Sequence, residues 1–73
     1  MNSIGHIIKE ARERRHMTQE ELAQKVRVGT QTIENYESGE QMPSSQTILK
    51  LSTVLDIPAA ELLKNHKEPY VNE

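Results

Sequence analysis

The sequence predicts a compact all-α domain of five helices. Apolar residues recur at spacings of three and four in successive short segments, which is the period of a helix with one buried face. Runs that alternate apolar and polar residues, as half-buried strands do, are scarce, and only 3% of the residues are aromatic. Capping and helix-breaking residues separate the apolar segments, so the helices are expected to be short and closely connected.

Strong start signals mark the first two helices. Helix 1 is predicted over about residues 4–15, with Ser3 as its N-cap. Helix 2 is predicted over about residues 19–26, because Thr18 and Glu21 stand three apart and match a capping box. The apolar positions of these two helices are Ile4, Ile7, Ile8, Ala11, Leu22, Ala23 and Val26.

The remaining three helices are bounded by Gly, Ser and Pro. Helix 3 is predicted over about residues 30–37, between Gly29 and Gly39, and Gly39 suits a left-handed C-cap. Ser44 is expected to cap helix 4, and Pro58 fits the first turn of helix 5. The residues expected to be buried in helices 3 to 5 are Ile33, Tyr36, Ile48, Leu51, Val54, Leu55, Ala59, Leu62 and Leu63.

Length and composition indicate the domain organisation. A chain of 73 residues holds one domain with a modest core, which we expect over residues 1–64. Residues 65–73 are polar and contain a proline, so they are predicted to form a loose tail. No apolar run approaches the roughly 20 residues that span a bilayer, and the N-terminus lacks the pattern of a signal peptide. A cytoplasmic protein without a membrane partner is therefore expected.

Enzyme chemistry and metal binding are not expected. The chain has no cysteine, and its three histidines, His6, His16 and His66, are too scattered in the sequence to form a metal site. It has no Gly-rich loop of the phosphate-binding kind, and so short a chain offers no pocket to shelter a catalytic triad. We therefore predict a protein that is not an enzyme and that needs no metal or other cofactor.

The overall charge counts against tight nonspecific binding to nucleic acid. The formal net charge is −2, whereas nucleic-acid-binding domains usually carry a basic footprint. The charges are unevenly placed. Residues 1–16 carry four cations and two carboxylates, a net charge of +2, and residues 17–43 carry two cations and five carboxylates, a net charge of −3.

Helices 2 and 3, separated by only a few residues, are typical of a helix-turn-helix unit. The major groove of DNA admits one helix, provided that a rigid neighbour presents that helix at the protein surface. In helix 3, Ile33 and Tyr36 are expected to point toward the core. The residues expected to point outward are Thr30, Gln31, Glu34, Asn35 and Ser38.

Three segments in register carry a family resemblance. They are Met17-Thr-Gln-Glu-Glu-Leu-Ala-Gln-Lys-Val, Thr32-Ile-Glu-Asn-Tyr-Glu-Ser-Gly and Pro43-Ser. With these segments the chain resembles, over about residues 4–64, the Cro and phage-repressor type of helix-turn-helix protein, the lambda-repressor-like or XRE family. The resemblance implies a lambda-repressor-like five-helix bundle in which helix 3 reads DNA.

The resemblance also implies roles for individual residues. Those implied to contact base edges are Thr30, Gln31, Thr32, Glu34 and Asn35. Those implied to contact DNA phosphates are Thr18, Gln19, Ser38 and Gln41. Gln31 and Asn35 carry amides of the kind that pairs with adenine through two hydrogen bonds, and Gln19 stands at a helix N-terminus, which attracts phosphate. Arg12 and Glu37 match a family pair, and we expect a partly buried, structural ion pair there.

Three residues depart from the family pattern. Glu40 replaces a basic residue that is common just after the glycine of this motif, which removes a phosphate contact. Arg27 stands where a turn glycine is usual, and it is expected either to strain the turn or to offer a basic contact. Glu34 would repel phosphate from the exposed side of helix 3, although its carboxylate is able to accept a hydrogen bond from cytosine N4. Together these departures predict moderate affinity that depends strongly on salt and on dimerisation.

Two hypotheses on function follow. The first is a sequence-specific transcriptional regulator, a repressor, that binds double-stranded DNA. Because one short helix reads only a few base pairs, it is expected to bind a palindromic operator as a homodimer, with helix 5 and the tail as the interface. The second is a protein-interaction module on the same fold, such as an antitoxin or a partner that sequesters another regulator. The acidic balance and Glu40 favour this second hypothesis slightly.

Overall fold

A computed structural model describes residues 3–64, and this part of the chain contains five helices and no strand. The helices are α1 (Ile4–Arg14), α2 (Gln19–Val26), α3 (Thr30–Ser38), α4 (Ser45–Leu55) and α5 (Ala59–Lys64). The predicted all-α fold class and the order of the helices are confirmed. The predicted tail, residues 65–73, lies outside the described residues. Within the described range, none of the helices has the length and apolar content to cross a membrane.

The helix starts follow the capping residues of the sequence. The Oγ atom of Ser3 accepts a hydrogen bond from the backbone N–H of His6 at 3.2 Å. Thr18 and Glu21 form both hydrogen bonds of the capping box, at 3.0 and 2.9 Å. The side chain of Ser44 caps α4 in the same way as Ser3 caps α1. These bonds satisfy backbone donors that the first turn of a helix leaves without partners, and they fix where each helix begins.

A residue in the left-handed backbone conformation forms the C-cap of α2, α3 and α4. Gly39, with φ of +90°, ends α3 as predicted, whereas Arg27 with φ of 64° ends α2 and Asp56 with φ of 58° ends α4. A Cβ atom makes this conformation unfavourable by roughly 1–2 kcal/mol, so Arg27 strains the turn between α2 and α3. Helix α1 ends at Arg14, one residue earlier than predicted, because the chain adopts a left-handed conformation at His16.

The core lies where α3 packs against α1 and α2 and where α4 packs against the same two helices, and α5 packs against α4. Its members are Ile4, Ile8, Ala11, Leu22, Ala23, Val26, Ile33, Tyr36, Ile48, Leu51, Leu55 and Leu62. The prediction that Leu63 is buried is wrong, because 45% of its surface is exposed. Adjacent residues of a helix point about 100° apart, so α5 buries Leu62 completely and turns Leu63 outward.

Close contact between α1 and α3 fixes the position of α3. Gly5 is buried in α1 and faces the backbone of the last turns of α3. A Cβ atom at this position would overlap the carbonyl oxygen of Tyr36 and would lie 2.8 Å from that of Glu37. Only glycine therefore allows the two helices to approach at their present separation.

Candidate nucleic-acid interface

One face of α3 is buried and the opposite face is open to solvent. Ile33 and Tyr36 are buried in the core, while Gln31 and Glu34 are exposed. Thr30, Thr32 and Asn35 are partly exposed, and Ser38 is exposed at the end of the helix. The inward and outward residues of α3 therefore separate as the sequence predicts, and every residue that the resemblance assigns to a base is accessible to some degree.

Hydrogen bonds link four polar side chains along this open face and the loop that follows. Nε2 of Gln31 donates to Oε1 of Glu34 at 3.4 Å and to Oδ1 of Asn35 at 3.2 Å. Nδ2 of Asn35 in turn donates to Oε1 of Gln41 at 3.3 Å. We call Glu34, Gln31, Asn35 and Gln41 the amide row. Sequence reasoning missed this row, although the spacing of three and four along a helix brings such side chains together.

The residues predicted to contact phosphate already have partners within the protein. Oγ of Thr18 accepts from the backbone of Glu21, and Nε2 of Gln19 donates to Oε1 of Glu37 at 3.0 Å. Oγ of Ser38 donates to the carbonyl oxygen of Asn35 at 3.2 Å. A hydroxyl has one hydrogen, so Ser38 must release this bond before it donates to a phosphate. Gln19 has a second amide hydrogen and needs no such change.

Arg12 lies between α1 and α3 and holds the carboxylate of Glu37 through two hydrogen bonds. Nε of Arg12 donates to Oε2 at 2.7 Å and Nη2 donates to Oε1 at 3.2 Å, while Nη1 donates to the carbonyl oxygen of Met17 at 2.7 Å. The two side chains are only 10% and 5% exposed. The hydrogen bond with Glu37 raises the pKa of the Arg12 guanidinium above its ordinary value, and this effect outweighs the desolvation that lowers it. The guanidinium of Arg12 therefore keeps its positive charge.

An open hollow lies beside this ion pair on the same side of the molecule as the exposed face of α3. It is lined by Lys9, Arg12, Gln19, Glu34, Glu37 and Ser38. Because Arg12 is bonded to Glu37, the exposed ammonium group of Lys9 is the cation of this lining that is accessible to a phosphate. Sequence reasoning missed Lys9. The basic balance of residues 1–16 was the available signal, and it did not single out this residue.

Metal-binding geometry is not found in the described part of the chain. Among residues 3–64, no group of three or more His, Asp or Glu side chains is arranged to hold a metal ion. His6 instead lies 3.3 Å from Glu10 on the exposed side of α1. His66 lies outside the described residues.

Most of this chain matches one known protein family. The sequence model of the helix-turn-helix family matches residues 8–62, from the middle of α1 to α5. This chain belongs to the helix-turn-helix family. The resemblance to the Cro and phage-repressor type is confirmed by the relatives of known structure.

The curated relatives of this helix-turn-helix chain are longer proteins, and only part of each one matches this chain. The HTH-type transcriptional regulator ImmR of Bacillus subtilis (strain 168) is 35% identical over 71 residues, which are 97% of this chain and 56% of ImmR. Multiprotein-bridging factor 1 of Candida albicans is 38% identical over 55 residues, which are 75% of this chain and 36% of that protein. The chain therefore spans about half of one relative and about a third of the other.

Solved structures of two helix-turn-helix repressor domains superimpose closely on this chain. The P22 c2 repressor, in complex with a synthetic operator, has a TM-score of 0.83 and 28% identity, over 89% of this chain and 98% of that one. SinR of Bacillus subtilis, described as the master regulator for biofilm formation and solved in complex with DNA, has a TM-score of 0.76 and 36% identity. That match covers 82% of this chain and 97% of the SinR chain.

Proposed function

We propose that this chain is a sequence-specific DNA-binding transcriptional regulator, a repressor, that inserts α3 into the major groove. The observation that carries the proposal is the exposed polar face of α3, which Gly5 and the Arg12–Glu37 pair hold against a rigid core. A helix presented in this way fits the groove and brings its outward side chains to base edges. The DNA complexes of P22 c2 and SinR, on chains that this one covers almost completely, support the same role.

The side chains divide into those that read bases and those that position the protein. Thr30, Gln31, Thr32, Glu34 and Asn35 are the residues that we assign to base edges. Thr18, Gln19, Ser38 and Gln41 are those that we assign to phosphates, and Lys9 joins them from the adjoining hollow. Phosphate contacts carry no sequence information directly, so the base preference depends on α3.

A homodimer on a palindromic operator follows from the size of the reading surface. A helix of nine residues reaches only a few base pairs, and two copies related by a twofold axis double the site, with half-sites about one helical turn apart. Leu49 on α4 and Leu63 on α5 are 56% and 45% exposed, and a second copy would cover apolar surface of this kind.

We assign the protein to the cytoplasm and assign it no catalytic activity.

Selection of bound duplexes from a random pool, at low and at physiological salt, tests the proposal. Enrichment of a palindrome whose binding weakens steeply as salt rises supports a dimeric DNA reader, because neutralised phosphates release counterions. A pool that stays random even at low salt contradicts it.

A role in binding another protein is the second candidate. The exposed carboxylates of Glu34 and Glu40, on α3 and just after it, disfavour a polyanion and favour a basic protein surface. SinR, whose domain this chain resembles, is also known in a complex with the SinI protein. A stoichiometric complex with another protein, measured by light scattering, together with a random pool in the selection experiment, would favour this candidate.

A further inference from the structure

The hydrogen bonds of the amide row run in one direction. A carboxylate only accepts hydrogen bonds, whereas a primary amide donates two hydrogens from its nitrogen and accepts through its oxygen. Because Gln31 lies beside Glu34, its nitrogen faces the carboxylate at 3.4 Å. The same nitrogen donates to Asn35, which donates to Gln41.

The charge of Glu34 is what sets this direction. If the amide of Gln31 were reversed, its oxygen would lie against the carboxylate of Glu34 and against Oδ1 of Asn35, so that acceptor would face acceptor. All three side chains lie on the same exposed or partly exposed face of α3, and no other described group competes for the nitrogen of Gln31. Glu34 therefore orients Gln31 even though it carries the charge that a phosphate would avoid.

The direction determines which atoms of α3 are available to DNA. Both hydrogens of the Gln31 amide are engaged within the row, and its Oε1 has no hydrogen-bond partner among the described residues. Asn35 uses one amide hydrogen for Gln41 and keeps the other. The row thus presents an acceptor at Gln31 and a donor at Asn35.

We propose that Glu34 determines specificity by fixing Gln31 as a hydrogen-bond acceptor, so that Gln31 reads the exocyclic amino group of adenine or cytosine. This inference rests on the proposed function and adds the chemistry of one contact to it. In the major groove, adenine N6 and cytosine N4 are donors, while the edges of guanine and thymine offer only acceptors for hydrogen bonds. Glu34 thus prevents the two-bond pairing with adenine that a free glutamine makes, because the purine N7 needs a donor.

Base analogues test the proposal on an operator found by selection. The base pair read by Gln31 is the one whose preference disappears in Gln31→Ala. At that pair, one duplex lacks the exocyclic amino group, through purine in place of adenine or 2-pyrimidinone in place of cytosine. A second duplex lacks only the purine N7, through a 7-deazapurine. Affinities are measured by fluorescence anisotropy for the wild-type chain and for Glu34→Ala.

The wild-type chain is expected to lose affinity on the order of tenfold without the amino group and to be unaffected by the 7-deazapurine. Glu34→Ala frees the amide hydrogen of Gln31 that is bonded to Glu34, which can then donate to a purine N7, so the variant is expected to become sensitive to the loss of N7. Glu40→Ala is the matched control, because it removes another exposed carboxylate, one that lies outside the amide row. This control variant should bind all the duplexes more tightly than the wild type does, and it should rank them in the same order of affinity.

Other results overturn the proposal. In the first, the wild-type chain loses as much affinity with the 7-deazapurine as with loss of the amino group. In the second, Glu34→Ala ranks the duplexes by affinity as the wild type does. In the third, Gln31→Ala keeps every base preference of the wild type. In each of these cases the wild-type chain still selects an operator, so the proposed function stands. If the wild-type chain enriches no sequence at low salt, the proposed function fails and this inference fails with it.

Discussion

Nε2 of Gln19 donates a hydrogen bond to Oε1 of Glu37 at 3.0 Å, which ties the first residue of α2 to the last turns of α3. The same carboxylate accepts two hydrogen bonds from Arg12 of α1. Glu37 therefore joins three helices at one point. A phosphate bound by Gln19 and a base bound by α3 would be held at a fixed distance from each other, which is what a sequence reader needs.

Replacement of Gln19 by Ala should weaken DNA binding about equally for all sequences. The variant loses one phosphate contact, and a net hydrogen bond of about 1 kcal/mol corresponds to roughly a fivefold change in Kd. Anisotropy titrations on an operator and on a scrambled duplex measure both affinities. Gln24→Ala is the control, since Gln24 is an exposed glutamine of the same helix and has no assigned contact. A change of base preference in Gln19→Ala would contradict the assignment.

The Arg12–Glu37 pair should be costly to break and nearly neutral to replace. Arg12→Met or Glu37→Met leaves one charge buried without its partner, and each is expected to lower the free energy of unfolding by about 3 kcal/mol. The double variant removes both charges and should recover most of that loss. Urea denaturation measures the four values. Arg14→Ala, at an exposed pair 3.9 Å from Glu10, should change stability by less than about 0.5 kcal/mol. Additive losses in the double variant would contradict the account.

Gly5→Ala should destabilise the fold although it inserts a better helix former. The new Cβ meets the backbone oxygens of Tyr36 and Glu37, which cannot swing away as a flexible side chain does. We expect a loss of about 1–3 kcal/mol in the free energy of unfolding, measured by urea denaturation. Lys9→Ala, at an exposed position of the same helix, should stay within about 0.5 kcal/mol of the wild type. Equal stability of Gly5→Ala and the wild type would show that α1 and α3 are farther apart.

Substitutions at the left-handed C-caps Arg27 and Gly39 should change the free energy of unfolding in opposite directions. Arg27→Gly removes the strain at φ of 64° and should raise the free energy of unfolding by about 1 kcal/mol. Gly39→Ala introduces that strain at φ of 90° and should lower it by a similar amount. Both residues are exposed, so packing changes little. Thermal melts at one protein concentration should shift by roughly 4–8 °C in the two directions. A lower Tm for Arg27→Gly would contradict the assigned backbone conformation.

The helices of this chain are predictable because their signals are local. The capping box of Thr18 and Glu21, the cap at Ser44 and the glycine at Gly39 each act within one turn of the chain, so the sequence alone indicates where α2, α3 and α4 begin or end. Leu63 shows the limit of this reasoning. Whether an apolar residue of a short terminal helix faces the core depends on how that helix docks, and no local pattern contains that information.

The site was predicted as a set of residues but not as a network. Periodicity separates Ile33 and Tyr36 from the outward residues of α3, and the structure agrees with that division. The bond from Gln19 to Glu37 joins residues 18 positions apart, and the position of Lys9 in the hollow beside them depends on the docking of α1. Such relationships arise from tertiary packing, which hydrophobic spacing does not specify.

The most direct test of the central claim compares operator binding by the wild-type chain with that by the double variant Gln31→Ala/Asn35→Ala. Both residues lie on the open face of α3, so the variant should keep its helical circular dichroism and its unfolding midpoint. Anisotropy titrations should show that it binds the operator no better than a scrambled duplex, while the wild-type chain prefers the operator. Preference for the operator by a folded double variant would contradict the assignment of α3 as the helix that reads DNA.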